Sequence, residues 1–373
     1  MGIEESLLKF QLLLFFLAMI PIFRWFSLTF SIVSSEEKIS EKIEIFNITV
    51  LLPMRNEARN APRKIAEVVD EIISHENVSL MVVNSCSTDC TEDIVKRAID
   101  KKGFPMDRFS IISLDKPGKS YAINAALERV TSDLIIMSDA DAVISKGWLL
   151  RFSEIFSDPE IGVASGIEEV SSAIHGWKRE YREKSNMIRI WESSRGSTPV
   201  LEGSIIGWRM GLIRDFRLDE SLNADDAQIT FKALNKGKRA IISEAITFQQ
   251  AREKKGELVR SMRRSQGLSR VLIGNMGLMA NRQAGIERGV FLHAIYFYVF
   301  FPWIFTTLLV TSIISTTMID FDEKWRIITA VFVFATISSR KGRSVMIGSY
   351  VSIISHLAFI FGKNMAIWNP DSS

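Results

Sequence analysis

Two aspartates separated by one residue, Asp139 and Asp141, are the first candidates for chemistry in this sequence. They follow residues 133–138, an apolar run that predicts a buried strand, so both carboxylates can turn toward the same space where the strand ends. Hard oxygen ligands of this kind suit Mg²⁺ or Mn²⁺, which keep their other positions for water and substrate phosphates. Because an Asp-Ala-Asp triplet often arises by chance, its place after a strand is what favours a metal site.

Polar residues also follow three other apolar runs, at positions 54–57, 84–89 and 115–116. In open α/β sheets, ligands bind beyond the carboxyl ends of the strands, so we expect these loops to converge on one site. The alternative for any single loop is that polar residues only mark the end of a strand. Four converging loops make that alternative weaker.

The elements that must position these loops alternate between strand and helix. This pattern predicts an α/β fold with a parallel sheet covered by helices on both faces. The predicted strands are 46–53, 78–83, 110–114 and 134–138, and the predicted helices run from Asn60 to Ile73, from Thr91 to Asp100 and from Lys119 to Arg129. Further strands at 161–164 and 200–207, with an amphipathic helix at Trp177–Glu192 between them, would form a second half.

Apolar residues are concentrated at the two ends of the 373-residue chain. Leu7–Phe23 is close to the length of about 20 residues that spans a bilayer. This run predicts an N-terminal transmembrane segment within residues 1–35. A signal peptide is the alternative, although no small-residue cleavage site stands out. Residues 289–368 predict about three further crossings, with Ile327–Ile337 the shortest and a hairpin of the last two as the alternative.

Charges beside these segments predict the orientation of the chain. The residues before Val290 are rich in Lys and Arg, whereas the next loop contains Asp320, Asp322 and Glu323. By the positive-inside rule, the middle segment lies in the cytoplasm and the protein is a multi-pass protein of the cell membrane. The net charge of +3 without a basic, aromatic-rich stripe excludes nucleic acid as the expected partner.

Cys86 and Cys90 are the two cysteines of the chain. They have no neighbouring His or Cys at a spacing that would suit zinc, so we interpret them as free thiols in a reducing compartment.

The order of the motifs resembles family-two inverting glycosyltransferases with the GT-A fold, a nucleotide-sugar-binding relative of the Rossmann arrangement. The resemblance covers roughly Ile45 to Gly274. Its motifs are Val50–Glu57 for the opening strand and nucleotide loop, Val82–Asp89 for the second loop, Lys116–Ser120 for the lysine loop, Ser138–Asp141 for the metal motif and Ala224–Thr230 for the segment of the catalytic base.

The resemblance implies a role for each matching residue. Asp139 and Asp141 would bind Mg²⁺ or Mn²⁺, and Lys119 would face the nucleotide. Many family members have two acidic residues where this chain has Asn84 and Ser85, and a glycine in place of Cys86, so uracil is not implied as the base. The residues that would shape the pocket for the base and ribose, together with Asp139, are Pro53, Asn56, Glu57, Ser85, Ser87 and Asp89.

Asp226 is the candidate general base that inversion requires within reach of the acceptor hydroxyl, and Asp225 would support it. Both stand at the start of a predicted helix, so capping and stabilisation by the helix dipole are the alternative. Lys119 also stands at a helix start, where its charge opposes the dipole, and a nearby phosphate would remove that conflict. Gly203 resembles the family's acceptor-side loop, although a glycine there could equally mark a bulge.

A basic segment, residues 251–288, separates the predicted GT-A domain, residues 45–250, from the C-terminal membrane region. Arg263 and Arg264 could contact the diphosphate or anchor the segment to anionic lipids. Polymer-making relatives have Gln-x-x-Arg-Trp here, and this chain lacks that tryptophan at Ser261–Gln266. Single transfer is therefore favoured over processive synthesis.

We expect transfer of one sugar from a UDP- or GDP-sugar to a membrane-associated acceptor, such as a polyprenyl phosphate or a lipid-linked glycan. A processive polysaccharide synthase is the closest alternative. A noncatalytic membrane scaffold that keeps the fold, and a nucleotidyltransferase, are alternatives from other classes. The membrane segments are the only feature of the sequence that favours a lipid acceptor.

Overall fold

The computed structural model describes residues 3–29, 46–169, 177–250, 257–318 and 322–363. In chain order, its helices and strands are α1 (Ile3–Thr29), β1 (Ile48–Met54), α2 (Ala61–Ile72), β2 (Val78–Ser85), α3 (Thr91–Lys102), β3 (Phe109–Leu114), α4 (Lys119–Leu127), β4 (Leu134–Ser138), β5 (Ala142–Ile144), α5 (Trp148–Phe156), β6 (Ile161–Glu168), α6 (Trp177–Arg195), β7 (Ile205–Arg209), α7 (Met210–Ile213), α8 (Asp225–Asn235), β8 (Arg239–Gln250), α9 (Glu257–Gly274), α10 (Arg288–Ile295), α11 (Phe301–Thr317), α12 (Glu323–Ser338) and α13 (Arg340–Ile360).

One mixed sheet of eight strands, ordered β3-β2-β1-β4-β7-β6-β8-β5, forms the centre of residues 46–250. Strands β3, β2, β1 and β4 are parallel. Strand β7 is antiparallel to β4 and β6, and β5 is antiparallel to β8. The predicted parallel sheet is confirmed for the first four strands and wrong for the sheet as a whole, because an apolar run does not reveal the direction in which a strand enters the sheet.

Apolar side chains alternate between the two faces of the parallel strands, as period-two alternation requires. Leu51 and Met137 pack with α4, α8 and the start of α10 on one face. Val50 and Ile136 pack with α2, α3 and α5 on the other. The predicted covering of both faces is therefore confirmed, and it holds the carboxyl ends of four strands at one edge of the sheet.

The second half differs from the prediction in its boundaries. The predicted strand at 200–207 is wrong at its start, since β7 begins at Ile205. Residues before it form a loop in which Glu202 pairs with Arg189 of α6, and this polar contact draws the chain out of the sheet. The helix predicted at Trp177–Glu192 is confirmed and continues to Arg195.

Three helices are long and apolar enough to cross a membrane, by length and composition: Glu4–Arg24, Arg288–Thr317 and Arg340–Ile360. The second joins α10 to α11 through a π-helical turn at Tyr296–Phe300, which ends two residues before Pro302. Proline lacks a backbone N–H, and a π turn relieves the misfit that it would cause inside a helix. The predicted middle crossing is α12, a helix of 16 residues.

Polar side chains join the terminal helices to each other and to residues 46–250. Gln11 of α1 donates to Ser315 of α11 at 2.9 Å and accepts from Trp325 of α12 at 2.7 Å. Gln266 of α9 donates to the carbonyl of Ser355 in α13 at 3.2 Å. Because Gly267 of α9 also lies against the Asn223 carbonyl, α9 links α13 to residues 46–250.

Candidate active site

The loops after β1 and β2 are held together by hydrogen bonds between their backbone and side-chain groups. The Asn56 N–H donates to Ser87 Oγ at 3.0 Å, and Asn56 Oδ1 accepts from the Thr88 N–H at 2.8 Å. The Ala58 N–H donates to Asp89 at 3.1 Å. Asn56, Ser87 and Asp89 are therefore brought together as predicted, with much of their hydrogen-bonding capacity spent on fixing the loops.

Two residues of these loops adopt a left-handed backbone conformation, Asn56 with φ of 54° and Cys86 with φ of 55°. This region is sparsely populated by residues other than glycine, and Asn is among the few that tolerate it. Cys86, where the resemblance predicts glycine, is thus a position with a left-handed backbone conformation. The side chain of Asn84 bridges the same loop, since it donates to Glu92 at 3.1 Å and accepts from the Ser87 N–H at 3.2 Å.

The lysine loop follows β3 and contacts the second loop directly. Ser85 Oγ accepts from the Gly118 N–H at 3.0 Å, so the start of α4 is fixed beside the nucleotide loops. Lys119, the first residue of α4, forms ion pairs with Asp139 at 2.8 Å and with Asp225 at 3.1 Å. Burial lowers the pKa of Lys119, but the charges of Asp139 and Asp225 outweigh it and raise that pKa above its ordinary value.

One cation therefore bridges the two acidic motifs. The carboxylates of Asp139 and Asp225 offset the conflict between Lys119 and the dipole of α4.

The loop that carries Asp139 and Asp141 is braced from behind by α2. Arg63 donates to the carbonyl of Ala140 at 3.0 Å, and Lys64 donates to the carbonyl of Ala142 at 3.0 Å and to Glu67 at 2.9 Å. The Lys64 side chain is fully buried. Burying a charge is costly unless it is paired and hydrogen-bonded, so these contacts fix the carbonyls on either side of Asp141.

Sequence reasoning missed Arg63 and Lys64, because charged residues on a helix are usually solvent-exposed. The signal that could have found Lys64 is its place on the apolar face, one position before Ile65 and four before Val68.

Negative charge accumulates at this edge of the sheet, and Lys119 and Arg264 offset part of it. Burial and the nearby charge of Asp139 raise the pKa of Asp141. Burial raises the pKa of Glu57 to about 7, with further contributions from Asp141, Asp139 and Asp89 and an opposing hydrogen bond from Asn60. Such a cluster fits a divalent cation, which would relieve the repulsion between the carboxylates.

Within the described residues, no group of three His, Cys, Asp or Glu side chains forms a ready-made metal site. The donor set that remains is Asp139 and Asp141. Mg²⁺ accepts such a set, since it often takes one or two carboxylates plus phosphates.

Asp226 lies in the first turn of α8, whose N-cap residue is Ala224. Its Oδ1 accepts from the Ala227 N–H at 2.8 Å. A Cβ atom added to Gly203 would meet Asp226 Oδ2 at 3.2 Å, so the glycine leaves that carboxylate oxygen room toward the second-half loop. Burial and the charge of Asp225 raise the pKa of Asp226, while Lys119 and Arg264 oppose that shift.

Arg263 and Arg264 approach the acidic motifs from α9. Burial lowers the pKa of Arg263, and the charge of Asp225 opposes that shift. The helix packs closely because Gly267 has no side chain: a Cβ there would meet the Asn223 carbonyl at 2.5 Å. Pro53 differs from the other predicted pocket residues, since it lies inside β1, opposite Val83 of β2, and not in a loop.

The second half adds a polar network that the sequence did not reveal. Gln250 at the end of β8 donates to Ser204 Oγ at 2.5 Å, and the Ser204 carbonyl accepts from the Asp139 N–H at 3.1 Å. These bonds connect the metal motif to the loop of Gly203. The two halves therefore meet at Asp139, Asp225 and Asp226.

In a comparison with known protein families, residues 49–217 match the model of the family described as Glycosyl transferase family 2. The poly-beta-1,6-N-acetyl-D-glucosamine synthase of Staphylococcus aureus strain COL is 21% identical over 202 residues, which are 52% of this chain and 48% of that protein. The chain thus spans about half the length of the curated relatives it matches.

Solved structures share the fold. The mannosyltransferase PcManGT from Pyrobaculum calidifontis, in complex with GDP-Man and Mn²⁺, superposes with a TM-score of 0.79 at 20% identity over 96% of this chain and 99% of that one. The TarS fragment 1–349 of S. aureus gives a TM-score of 0.50 at 15% identity over 85% of this chain and 92% of that one.

Proposed function

We propose, from the premise that this chain belongs to glycosyltransferase family 2 and has the GT-A fold, that it transfers one sugar from a nucleotide-sugar to a membrane-associated acceptor with inversion. The observation that carries the proposal is the bridge made by Lys119 between Asp139 of the metal motif and Asp225 beside the candidate base. Because of this bridge, the groups that would hold the donor and the group that would activate the acceptor face one space.

The donor is a UDP- or GDP-sugar in this proposal. Asn56, Ser87 and Asp89 fix the loops that shape the base and ribose pocket, and Lys119 lies where the diphosphate would enter. Asp139 and Asp141 would hold Mg²⁺ or Mn²⁺. Such an ion supplies Lewis-acid stabilisation of the charge that develops on the leaving diphosphate. Arg263 and Arg264 would add positive charge on the same side.

Asp226 is the general base of the reaction as proposed. A carboxylate takes the acceptor proton, from the hydroxyl of a glycan or from the P–OH group of an isoprenoid phosphate monoanion. The freed oxygen attacks the sugar carbon from the side opposite the diphosphate, and the bond between that carbon and the diphosphate oxygen breaks. The raised pKa of Asp226 makes its carboxylate a stronger base than an exposed aspartate. Gly203 leaves the space beside Asp226 Oδ2 in which a hydroxyl can be held.

The acceptor is a polyprenyl phosphate or a lipid-linked glycan in this proposal. The support is the set of candidate membrane helices at both ends of the chain and the direct bonds between α9 and α13. A protein with the catalytic segment held at the cytoplasmic face of the cell membrane would meet such an acceptor at the bilayer surface.

The test uses purified full-length protein in lipid vesicles, with GDP- and UDP-sugars screened against polyprenyl phosphate in Mn²⁺ or EDTA. We expect metal-dependent release of nucleoside diphosphate and a lipid product that carries one added sugar by mass spectrometry. Release of inorganic diphosphate would instead indicate a nucleotidyltransferase. No turnover and no metal-dependent donor binding in folded protein would favour the noncatalytic scaffold.

A processive polysaccharide synthase is the second candidate, because the S. aureus relative is named as a poly-beta-1,6-N-acetyl-D-glucosamine synthase. The length of the product separates the two functions. A ladder of products longer than one sugar, formed without release of the acceptor, would replace single transfer by polymerisation.

A further inference from the structure

A seam of buried polar side chains joins α9 to α13. Gln266 Nε2 of α9 donates to the carbonyl of Ser355 at 3.2 Å and to the carbonyl of Lys363, just after α13, at 3.1 Å. In the opposite direction, Ser355 Oγ donates to the carbonyl of Met262 in α9 at 2.9 Å. Gln266 and Ser355 are buried. Because the bonds run both ways between the two helices, they fix how far α9 can slide along α13.

A second connection in the same seam includes α11. Trp303 Nε1 of α11 donates to His356 Nδ1 of α13 at 3.1 Å. Because this nitrogen accepts, the other nitrogen of a neutral imidazole carries the proton. His356 Nε2 therefore donates to Ser269 Oγ of α9 at 2.9 Å, and Ser269 is buried. One chain of hydrogen bonds thus joins three helices, and such satisfied buried networks specify a single packing arrangement.

The seam occupies one face of α9. Met262, Gln266 and Ser269 are four and three residues apart, which is the spacing of neighbours on a helix surface. Arg264 lies on the opposite side of the helix axis, because it is two residues, or about 200°, from Gln266. The residue is exposed there. The bonds of the seam therefore set the direction in which Arg264 leaves the helix.

The side of α9 that carries Arg264 also packs closely on the start of α8. A Cβ atom on Gly267, three residues after Arg264, would meet the Asn223 carbonyl oxygen at 2.5 Å and Ala224 Cβ at 3.0 Å. Ala224 is the N-cap residue of α8 and precedes Asp226 by two residues. A shift or rotation of α9 would therefore move Arg264 relative to the candidate base.

The charge of Arg264 reaches both acidic motifs. It lowers the pKa of Asp141 and the pKa of Asp226, in each case against the effect of burial. Lys119 acts on both carboxyl groups in the same direction. Arg264 is thus a cation that α9 contributes to the site, and its position depends on how α9 is held.

We propose that Gln266 and Ser269 are positioning residues for sugar transfer, whose bonds to α13 hold α9 in the register that directs Arg264 to the acidic motifs. The inference rests on the proposed function, because its effect is on transfer. Neither residue touches the substrate in this proposal, and both act through Arg264. The alternative is a seam that only anchors α9, and its loss would lower stability without any dependence on Arg264.

Two variants of the full-length protein in lipid vesicles test the seam. Gln266→Met keeps the length of the side chain and removes its N–H donors, and Ser269→Ala removes the partner of His356 with a smaller change. We expect kcat for transfer to fall about 10- to 100-fold in Gln266→Met, since a misplacement of about 1 Å can have such an effect. The fall should be smaller in Ser269→Ala. Unchanged kcat in both variants would overturn the proposal.

A double-mutant cycle with Arg264→Gln separates positioning from anchoring. The kcat values are referred to the concentration of donor-binding sites, so that unfolded protein does not count. If Gln266 acts through Arg264, Gln266→Met should change kcat less than about twofold in the Arg264→Gln background. An equal fall in both backgrounds would overturn the proposal, because the seam would then act independently of Arg264.

The acidic limb of the pH profile of kcat/KM is a second readout that loss of stability alone would not move. The charges that act on Asp226 are those of Asp225, which raises its pKa, and of Lys119 and Arg264, which lower it. If Gln266→Met moves Arg264 away, the pKa of Asp226 rises and the limb moves to higher pH. A limb that stays in place would contradict the proposal.

Thr329→Val is the matched control. The Thr329 hydroxyl is buried and bonds to Thr316 at 3.1 Å, so it joins α12 to α11 by the same kind of contact without touching α9. We expect kcat within about twofold of wild type and an unmoved acidic limb, because an interhelical hydrogen bond of this kind contributes only about 1 kcal/mol. A fall equal to that of Gln266→Met would assign the effect to general loosening of the helices and overturn the proposal.

The wild-type protein separates a failure of this inference from a failure of the proposed function. If it binds the donor and transfers sugar, and the seam variants match Thr329→Val, the positioning role alone is wrong. If it neither binds nor turns over any donor, the proposed function is wrong and the positioning role fails with it.

Discussion

The two halves of residues 46–250 build their parts of the site in different ways. In the first half, residues 46–141, short loops after neighbouring parallel strands bond to each other, as Asn56 does with Ser87 and Thr88. The second half packs against α9, whose Gly267 lies against the Asn223 carbonyl and whose Gln266 donates to Ser355 of α13, a candidate membrane span. The first half is thus formed by the sheet, whereas the second half depends on helices that lead to a candidate membrane span.

From this difference we expect that mutations can separate donor binding from transfer of the sugar to the acceptor. Changes in the second half should impair transfer and leave donor binding intact. Changes in the first half should impair metal and donor binding, and transfer with them.

The largest separation is expected for Asp226→Asn. The amide cannot take the acceptor proton, so kcat for sugar transfer should fall about 10²- to 10⁴-fold, the range of general base catalysis. The affinity for the nucleotide-sugar, measured by isothermal titration calorimetry, should change less than about threefold. Asp215→Asn, at an exposed aspartate nearby, is the control. Equal loss of binding and transfer would show that Asp226 belongs to the donor pocket.

Asp141→Asn tests the first half at its metal motif. The variant loses one of two predicted carboxylate ligands, so Mn²⁺ affinity, measured by electron paramagnetic resonance, should fall at least about 100-fold, because ligand charge contributes strongly to such sites. EDTA should abolish transfer by the wild type, and added Mn²⁺ should restore it. Wild-type Mn²⁺ affinity in the variant would remove Asp141 from the metal site.

Lys64→Met tests whether α2 holds the metal motif in place. The change removes the fully buried donor of Glu67 and of the Ala142 carbonyl, both of which keep only weaker bonds, chiefly from Arg63. Chemical denaturation should therefore show a loss of about 1–3 kcal/mol of unfolding free energy. Mn²⁺ affinity should fall about 10- to 100-fold, as for residues that orient metal ligands.

Lys96→Met is the matched control for Lys64→Met, because the Lys96–Glu92 pair has similar distances on an exposed surface and should contribute no measurable stability. Lys64→Arg keeps a charge and should recover part of the metal affinity. A Lys64→Met protein with lowered stability and unchanged Mn²⁺ affinity would limit Lys64 to a structural role.

The smallest expected effect is a shift in pH dependence. Asp226 must be deprotonated to act as base, so transfer should fall as pH falls through its pKa, which is raised above the usual value of about 3.9. Asp225 raises this pKa, whereas Lys119 and Arg264 lower it. Asp225→Asn should therefore move the acidic limb of kcat/KM to lower pH by about one unit.

Glu244→Gln, at an exposed carboxyl of β8, is the control for that profile. A limb that stays in place, or that moves to higher pH in Asp225→Asn, would contradict the assignment of the limb to Asp226.

The sequence predicted the first half of the site well, because parallel strands bring their carboxyl ends to one edge and the residues after each strand then converge. Asp139, Asp141 and Lys119 are found near one another for this reason, whereas Asp226 is brought to them by α8. Residues whose role depends on tertiary contacts were not predicted. Lys64 is a charged helix residue in the sequence, and only its burial beneath the metal motif distinguishes it from Lys96.

The second half was harder to predict for a related reason. The direction of β7, the polar loop before it and the approach of Gly203 to Asp226 all depend on how distant segments pack. The sequence shows Cys86 where many family members have glycine. Only the structure shows that this position has a left-handed backbone conformation.

The most direct test of the account is a structure of the full-length protein with Mn²⁺ and an unreactive nucleotide-sugar analogue bound. The account predicts that Mn²⁺ is held by Asp139, Asp141 and the diphosphate. It also predicts that the nucleobase lies between the loops of Asn56 and Ser87 and that the sugar carbon faces Asp226. A nucleotide bound away from these loops, or a sugar carbon turned away from Asp226, would contradict it.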